Sequence, residues 1–222
     1  MATHGGPNIV DDGLVFYIDP ANTDSWSGPD ASLVNSLTSN LTGSIVNDTS
    51  GSYGDNNSFA FDGTDDKITF DPIALTTDCS LSAWAKRGST ANMFLLGNTT
   101  NYGYGVYFNG TANLYVKGSG AGLTTFNNTA IQTALARTDW VHWLYIKNGT
   151  AGTTSVYVDG NLAQSVSHTN PINEISSIGG SGLSTGTQYI WNGSVGPTQV
   201  YNKAPSAQEI KQNFNALNRF GI

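Results

Sequence analysis

An all-β sandwich of two antiparallel sheets, closed by one C-terminal helix, is the fold class that this sequence predicts. Three observations predict it. Short stretches rich in branched and aromatic residues recur through the 222 residues, each bounded by Gly, Asn, Asp or Ser. Several alternate with period two, as in Trp140-Val141-His142-Trp143-Leu144-Tyr145-Ile146, which sets one face on a core and the other towards water or a second layer. An extended helical period is legible at one place, near the end of the chain.

In chain order, the strands read as Leu14 to Ile18, Ser58 to Phe61, Lys67 to Phe70, Leu81 to Ala85 and Met93 to Leu96. They continue with Gly105 to Phe108, Leu114 to Val116, Trp140 to Lys147, Ser155 to Val158 and Ser194 to Tyr201. Asp159-Gly160 between Val158 and Asn161 is a hairpin signal, because both residue types accept the positive φ that tight hairpin turns need. The stretch from Asn22 to Asn57 reads as a long excursion between strands. Ser206-Ala207-Gln208-Glu209 has the form of a capping box, and Ile210, Phe214 and Leu217 follow at helical spacing. With no internal repeat or composition break, residues 1–222 read as one domain, with an N-terminal arm over 1–12 and the helix over 206–217.

Composition narrows the function classes. Charged residues make up 11% of the chain, and neutral Asn, Thr, Ser and Gly supply the polarity. Nine Lys and Arg are scattered against sixteen acids, so no basic stripe neutralises successive phosphates and no nucleic-acid partner is expected. No run of about 18 apolar residues occurs, so no membrane insertion is expected. The first residues, Met1-Ala2-Thr3-His4-Gly5-Gly6, lack the basic and apolar regions of a secretory signal peptide, and Asn-x-Ser/Thr sequences such as Asn98-Thr99-Thr100 read as by-products of composition. Cys79 is alone, lies in an alternating stretch and is expected to be buried and inert.

Five segments in a fixed order resemble one family. Phe59-Ala60-Phe61-Asp62-Gly63-Thr64-Asp65-Asp66-Lys67-Ile68, Leu81-Ser82-Ala83-Trp84-Ala85, Trp140-Val141-His142, Val156-Tyr157-Val158-Asp159-Gly160 and Trp191 through Ala204 are similar to the strands of laminin G-like domains. The resemblance runs from about Leu14 to Leu217 and implies a concanavalin A-like jelly roll. The opening His4-Gly5-Gly6-Pro7-Asn8-Ile9-Val10 and the ending Glu209 to Ile222 resemble stand-alone laminin G-like proteins of tailed bacteriophages. That likeness implies a virion protein, a capsid decoration or tail component assembled in the host cytoplasm. Its expected partners are other virion proteins, together with cell-surface glycans or a further copy of the chain. The alternative is a free soluble carbohydrate-binding lectin.

The candidate sites follow from these readings. Related sandwiches include glucanases, whose chemistry needs two carboxylates flanking the scissile bond. Here Glu174 stands alone, Glu209 serves the helix cap, and Asp65/Asp66 are adjacent, so on a strand they face opposite ways. His4, His142 and His168 have neither metal-ligand spacing nor a nucleophile motif beside them, so no enzyme is expected. The resemblance raises calcium, for which Asp62, Asp65 and Asp66 in one turn and Asp19 after the first strand are the carboxylate candidates, with Asn22 and Asp24 beside Asp19. A tight turn explains the same Asp-Gly-Thr-Asp pattern. Pentraxin-like relatives place further acids before the final strand, where this chain has Gly179 to Gly186 without a carboxylate.

Glycan binding uses aromatic faces together with amide and hydroxyl groups. Asn101, Tyr102, Tyr104 and Tyr107 supply that chemistry around one loop, and Trp191, with Trp26 and Tyr189, lies at other loop edges. Packing in the sandwich or against another copy is the competing account, and it is the expected role of Trp84, Trp140 and Trp143.

Overall fold

The computed structural model describes residues 8–28, 31–47, 53–54, 57–99, 105–118, 123–167, 172–181 and 189–221. Its strands are β1 (Leu14–Ile18), β2 (Leu33–Asn35), β3 (Thr42–Val46), β4 (Tyr53–Gly54), β5 (Ser58–Asp62), β6 (Lys67–Ala74), β7 (Asp78–Arg87) and β8 (Met93–Gly97). After them come β9 (Gly105–Asn109), β10 (Asn113–Lys117), β11 (Leu123–Phe126), β12 (Trp140–Asn148), β13 (Thr153–Val158), β14 (Asn161–Ser167), β15 (Glu174–Ile178) and β16 (Asn192–Tyr201). Helix α1 (Thr129–Leu135) separates β11 from β12, and α2 (Ala207–Leu217) follows β16.

The strands form two eight-stranded sheets. The first runs β14-β13-β12-β7-β16-β5-β4, with β1 also paired to β16; the second runs β11-β10-β9-β8-β15-β6-β3-β2. All pairings between strands are antiparallel. Period-two alternation sends Leu81, Ala83, Val141, Trp143 and Tyr145 of the first sheet, and Ile68, Phe70, Val106, Phe108, Leu114 and Val116 of the second, into one shared apolar layer. Val158 and Asn161 are joined by Asp159 at φ 50° and Gly160 at φ 69°, the two positive angles expected of a short hairpin turn.

The two outer faces differ. On the first sheet, the other half of the alternation in β7 and β12 also carries apolar residues: Trp84, Trp140, Leu144 and Ile146 are buried, although they point away from the shared layer. Helix α2 covers them. Ile210 packs with Leu144 and Ile146, while Phe214 stacks on Trp84 at 5.5 Å, and Phe220 beyond the helix lies 4.0 Å from the Trp140 ring. The capping box is formed as expected, with Ser206 accepting from the Glu209 amide and the Glu209 side chain accepting from the Ser206 amide.

Two features depart from the sequence-based expectation. Trp84 and Trp140 are buried beneath α2, and only Trp143 of the three tryptophans lies between the sheets. The described residues also form two helices, because α1 folds behind the Asn128 cap and buries Ile131, Ala134 and Leu135. The excursion from Asn22 to Asn57 contributes three short strands, β2, β3 and β4, at sheet edges.

Candidate functional site

The outer face of the second sheet carries the first candidate. Strands β9 and β10 pair Tyr107 with Tyr115 and Asn109 with Asn113, so these four outward side chains form a two-by-two patch. The same row extends to Thr125 on β11 and Phe94 on β8. The Tyr107 ring lies 5.9 Å from Tyr115 and nearly parallel to it, 4.9 Å from Phe94 and 5.2 Å from Tyr189. Tyr107, Tyr115 and Tyr189 are half-buried, whereas Phe94 is buried beneath its neighbours. The Tyr115 hydroxyl accepts from the Asn109 amide at 3.4 Å and the Asn113 amide at 3.2 Å.

A buried arginine supports the hairpin that presents this patch. The Arg87 guanidinium donates to the Gly110 carbonyl in the β9–β10 turn at 3.0 Å, to the Ala91 carbonyl at 3.1 Å and to the Leu135 carbonyl at the end of α1. Burial lowers its pKa from the usual arginine value, and the three carbonyl dipoles face its charge. The turn, the β7–β8 connection and α1 are thereby held by one side chain.

The second candidate is the β5–β6 turn. Asp62, Asp65 and Asp66 each place a carboxylate oxygen within 4.8 Å of the others. Local bonding accounts for part of this convergence: Thr64 donates its amide to Asp62 at 2.6 Å, and the Asp62 amide donates to Asp66 at 2.9 Å. Gly63 sits at φ 83°, where a side chain would be strained, and Asn192 on β16 donates to the Asp62 carbonyl at 2.8 Å. The three oxygens lie close enough together to reach one ion, and an all-oxygen donor set is the kind a hard cation takes.

Asp19, the carboxylate candidate after the first strand, does not join that turn. Ile18 pairs with Thr198 on β16, whereas Asp62 pairs with Asn192, six residues away and so roughly 20 Å along the strand. The Asp19 carboxylate is instead engaged by Arg219 at 2.8 Å, by the Tyr17 hydroxyl at 3.2 Å and by the Ala21 amide at 2.9 Å.

Trp191 is likewise corrected as a glycan contact. It is fully buried in the shared layer, edge-on to Phe108 at 5.3 Å, and presents no face to a ligand. Trp26 is buried against Phe59 for the same reason. Asn101, Tyr102 and Tyr104 lie outside the described residues, as do His4 and His168. Tyr107 faces outward on β9 with Tyr115 as its cross-strand neighbour, a residue that its own alternation marks as outward but that only the strand register connects to the patch.

The groups considered for catalysis stand apart. Glu174 begins β15 in the second sheet and accepts from Asn98 at 2.5 Å, while Glu209 caps α2 on the covered face of the first. His142 is buried under α2 and bonded to Ser82 at 2.8 Å, and burial lowers its pKa to about 3. Cys79 is fully buried, which pushes its thiol up to about 11.

Residues 62–211 match a family model described as the concanavalin A-like lectin/glucanases superfamily, of the laminin G type. No curated protein matches the chain. Among solved structures, the binding domain of botulinum neurotoxin serotype D is 12% identical with a TM-score of 0.61, covering 92% of this chain and 52% of that one. The receptor binding domain of botulinum neurotoxin D is 14% identical with a TM-score of 0.61, covering 91% of this chain and 52% of that one. Trypanosoma rangeli sialidase in complex with sialic acid is 15% identical with a TM-score of 0.62, covering 94% of this chain and 34% of that one. The chain thus spans about half the length of the neurotoxin domains and about a third of the sialidase. At these identities the likeness carries the fold alone.

Proposed function

The chain belongs to the concanavalin A-like lectin/glucanases superfamily in its laminin G-like branch, and from that premise we propose that it is a non-enzymatic binding protein of a virion surface, a capsid decoration or tail component that adheres to glycans or host surface. The observation that carries the binding reading is the contrast between the two outer faces. One is roofed by α2, and the other presents tyrosines among asparagine amides. Aromatic rings and amides suit the apolar face and the hydroxyls of a sugar.

Support for binding without catalysis comes from the placement of the two glutamates, Glu174 on a strand of the second sheet and Glu209 in the first turn of the helix that covers the first, too far apart to flank one glycosidic bond. The virion setting is supported by the likeness of the opening and closing segments to stand-alone phage proteins. Asp62, Asp65 and Asp66 would hold calcium, whose charge would offset the mutual repulsion of three carboxylates and stiffen the β5–β6 turn.

A glycan array in the presence of calcium and of a chelator, paired with a reducing-sugar release assay on the same glycans, tests the binding reading. Retention without sugar release is expected; sugar release would overturn it. Quantitative mass spectrometry across a density gradient of particles from the source tests the setting. Co-migration at a fixed ratio to the major capsid protein is expected, and absence from particles would leave a free soluble lectin in its place.

A further inference from the structure

We infer that the patch of Tyr107, Tyr115, Asn109 and Asn113 on the outer face of the second sheet is a binding subsite for neutral oligosaccharides, lying on the strands rather than in the loops. This deepens the lectin reading above and rests on it.

Strand register is the first support. The pairing of Tyr107 with Tyr115, and of Asn109 with Asn113, fixes two aromatic and two amide side chains on one side of a single hairpin. Cross-strand neighbours on one face lie about 5 Å apart, so the four groups form one continuous surface of the size of a sugar ring or two. The rings are held in place by contact with Phe94 and Tyr189, and the turn is anchored by buried Arg87, so little ordering would be needed on binding.

Hydrogen-bond capacity is the second. A phenol has one proton and accepts through its lone pairs. The Tyr115 oxygen already accepts from both asparagine amides, so its proton is directed to a partner other than those amides. Each asparagine also retains a carbonyl oxygen on the donating amide. The patch therefore offers a donor and two acceptors around a half-exposed ring, which matches adjacent sugar hydroxyls above an apolar sugar face.

Charge is the third. The four side chains are phenols and amides without formal charge, Lys117 is the next outward residue on β10, and the chain as a whole carries a net charge of -7. A neutral patch on an acidic protein favours an uncharged ligand over an acidic one such as a sialylated glycan. Among the described residues no helix lies over this face, in contrast to its counterpart, where the outward aromatics Trp84 and Trp140 are covered by α2 and Phe220.

The test is a calorimetric titration with a fixed panel: hexasaccharides of β-1,4-glucose, α-1,4-glucose, β-1,3-glucose, β-1,4-mannose and β-1,4-N-acetylglucosamine, with sialyllactose as the acidic probe. Wild-type protein is expected to bind at least one neutral member. Tyr115→Ala is expected to weaken that binding about tenfold or more, as for loss of an aromatic anchor. Tyr115→Phe, which keeps the ring and removes the hydroxyl, is expected to lie between them. Lys211→Ala, on the exposed side of α2, is expected to bind as wild type. Unchanged thermal unfolding of the tyrosine variants would confirm that the fold is intact. Wild-type binding that survives Tyr115→Ala overturns this subsite and leaves the lectin reading standing. Binding of sialyllactose alone overturns the neutral class. Binding to no member of the panel overturns both the subsite and the lectin reading. A dimer in wild type that Tyr115→Ala dissolves would assign the patch to contact between copies and overturn the subsite.

Discussion

His142 occupies a position where its chemistry works against the protein in acid. Its ring is enclosed between Trp84 at 5.2 Å and Phe214 at 5.6 Å, with Ser82 as its hydrogen-bond partner. Burial lowers its pKa from 6.5 to about 3, so between those values the unfolded chain binds a proton that the folded chain refuses. Stability from this group is fully present above pH 6.5 and falls as the pH drops through the window, by up to about 1.4 kcal/mol per pH unit. Urea midpoints at pH 7 and pH 4.5 measure it: wild type should lose more stability on acidification than His142→Gln, and equal losses would remove His142 as the cause. Trp191 makes a second residue-scale prediction. As a buried core ring it should cost roughly 3–5 kcal/mol when replaced by alanine, measured by urea unfolding. A folded, equally stable Trp191→Ala variant would contradict its placement.

Among the elements, α2 was the most legible in the sequence and α1 the least. The capping pair Ser206 and Glu209, with Ile210, Phe214 and Leu217 three or four residues apart, specifies both the start of α2 and its buried stripe. Ser206→Ala should lower stability by about 1 kcal/mol in a denaturant titration, since the Glu209 amide loses its acceptor; no change would show that the cap is dispensable. Helix α1 has seven residues and no acid in its first turn, too little for a periodic signal to stand out between strands. The long strands were read from alternation, because an inward Leu81 and Ala83 enforce period two wherever one face is buried. The short edge strands β2 and β4 span three and two residues, which leaves no period to read. In the candidate site, Tyr107 was legible by its residue type, and Asp62, Asp65 and Asp66 by their closeness in sequence. Tyr115 and Asn113 were not, because register between β9 and β10 brings them to Tyr107. The separation of Asp19 from the Asp62–Asp66 turn has the same origin, because register sets them roughly 20 Å apart along β16.

At the scale of the whole molecule, the sandwich is asymmetric. The first sheet is buried on both sides, by the second sheet and by α2, and this explains why β7 and β12 are buried at nearly every position. The second sheet has its patch of tyrosine and asparagine on the side away from the core. Removing the roof should therefore affect stability and leave the patch intact. Phe214→Ala, which empties the contact with Trp84, is expected to cost about 3 kcal/mol in unfolding experiments while leaving oligosaccharide affinity unchanged; a matching loss of affinity would tie the site to the covered face. The central claim, that the outer face of the second sheet is the binding face, is tested most directly by titrating isotopically labelled protein with the tightest neutral hexasaccharide of the panel and following backbone amide resonances. The account predicts shifts concentrated in residues 105–117 and at Tyr189, with 207–217 unmoved. Shifts centred on the Asp62–Asp66 turn or on α2 would contradict it.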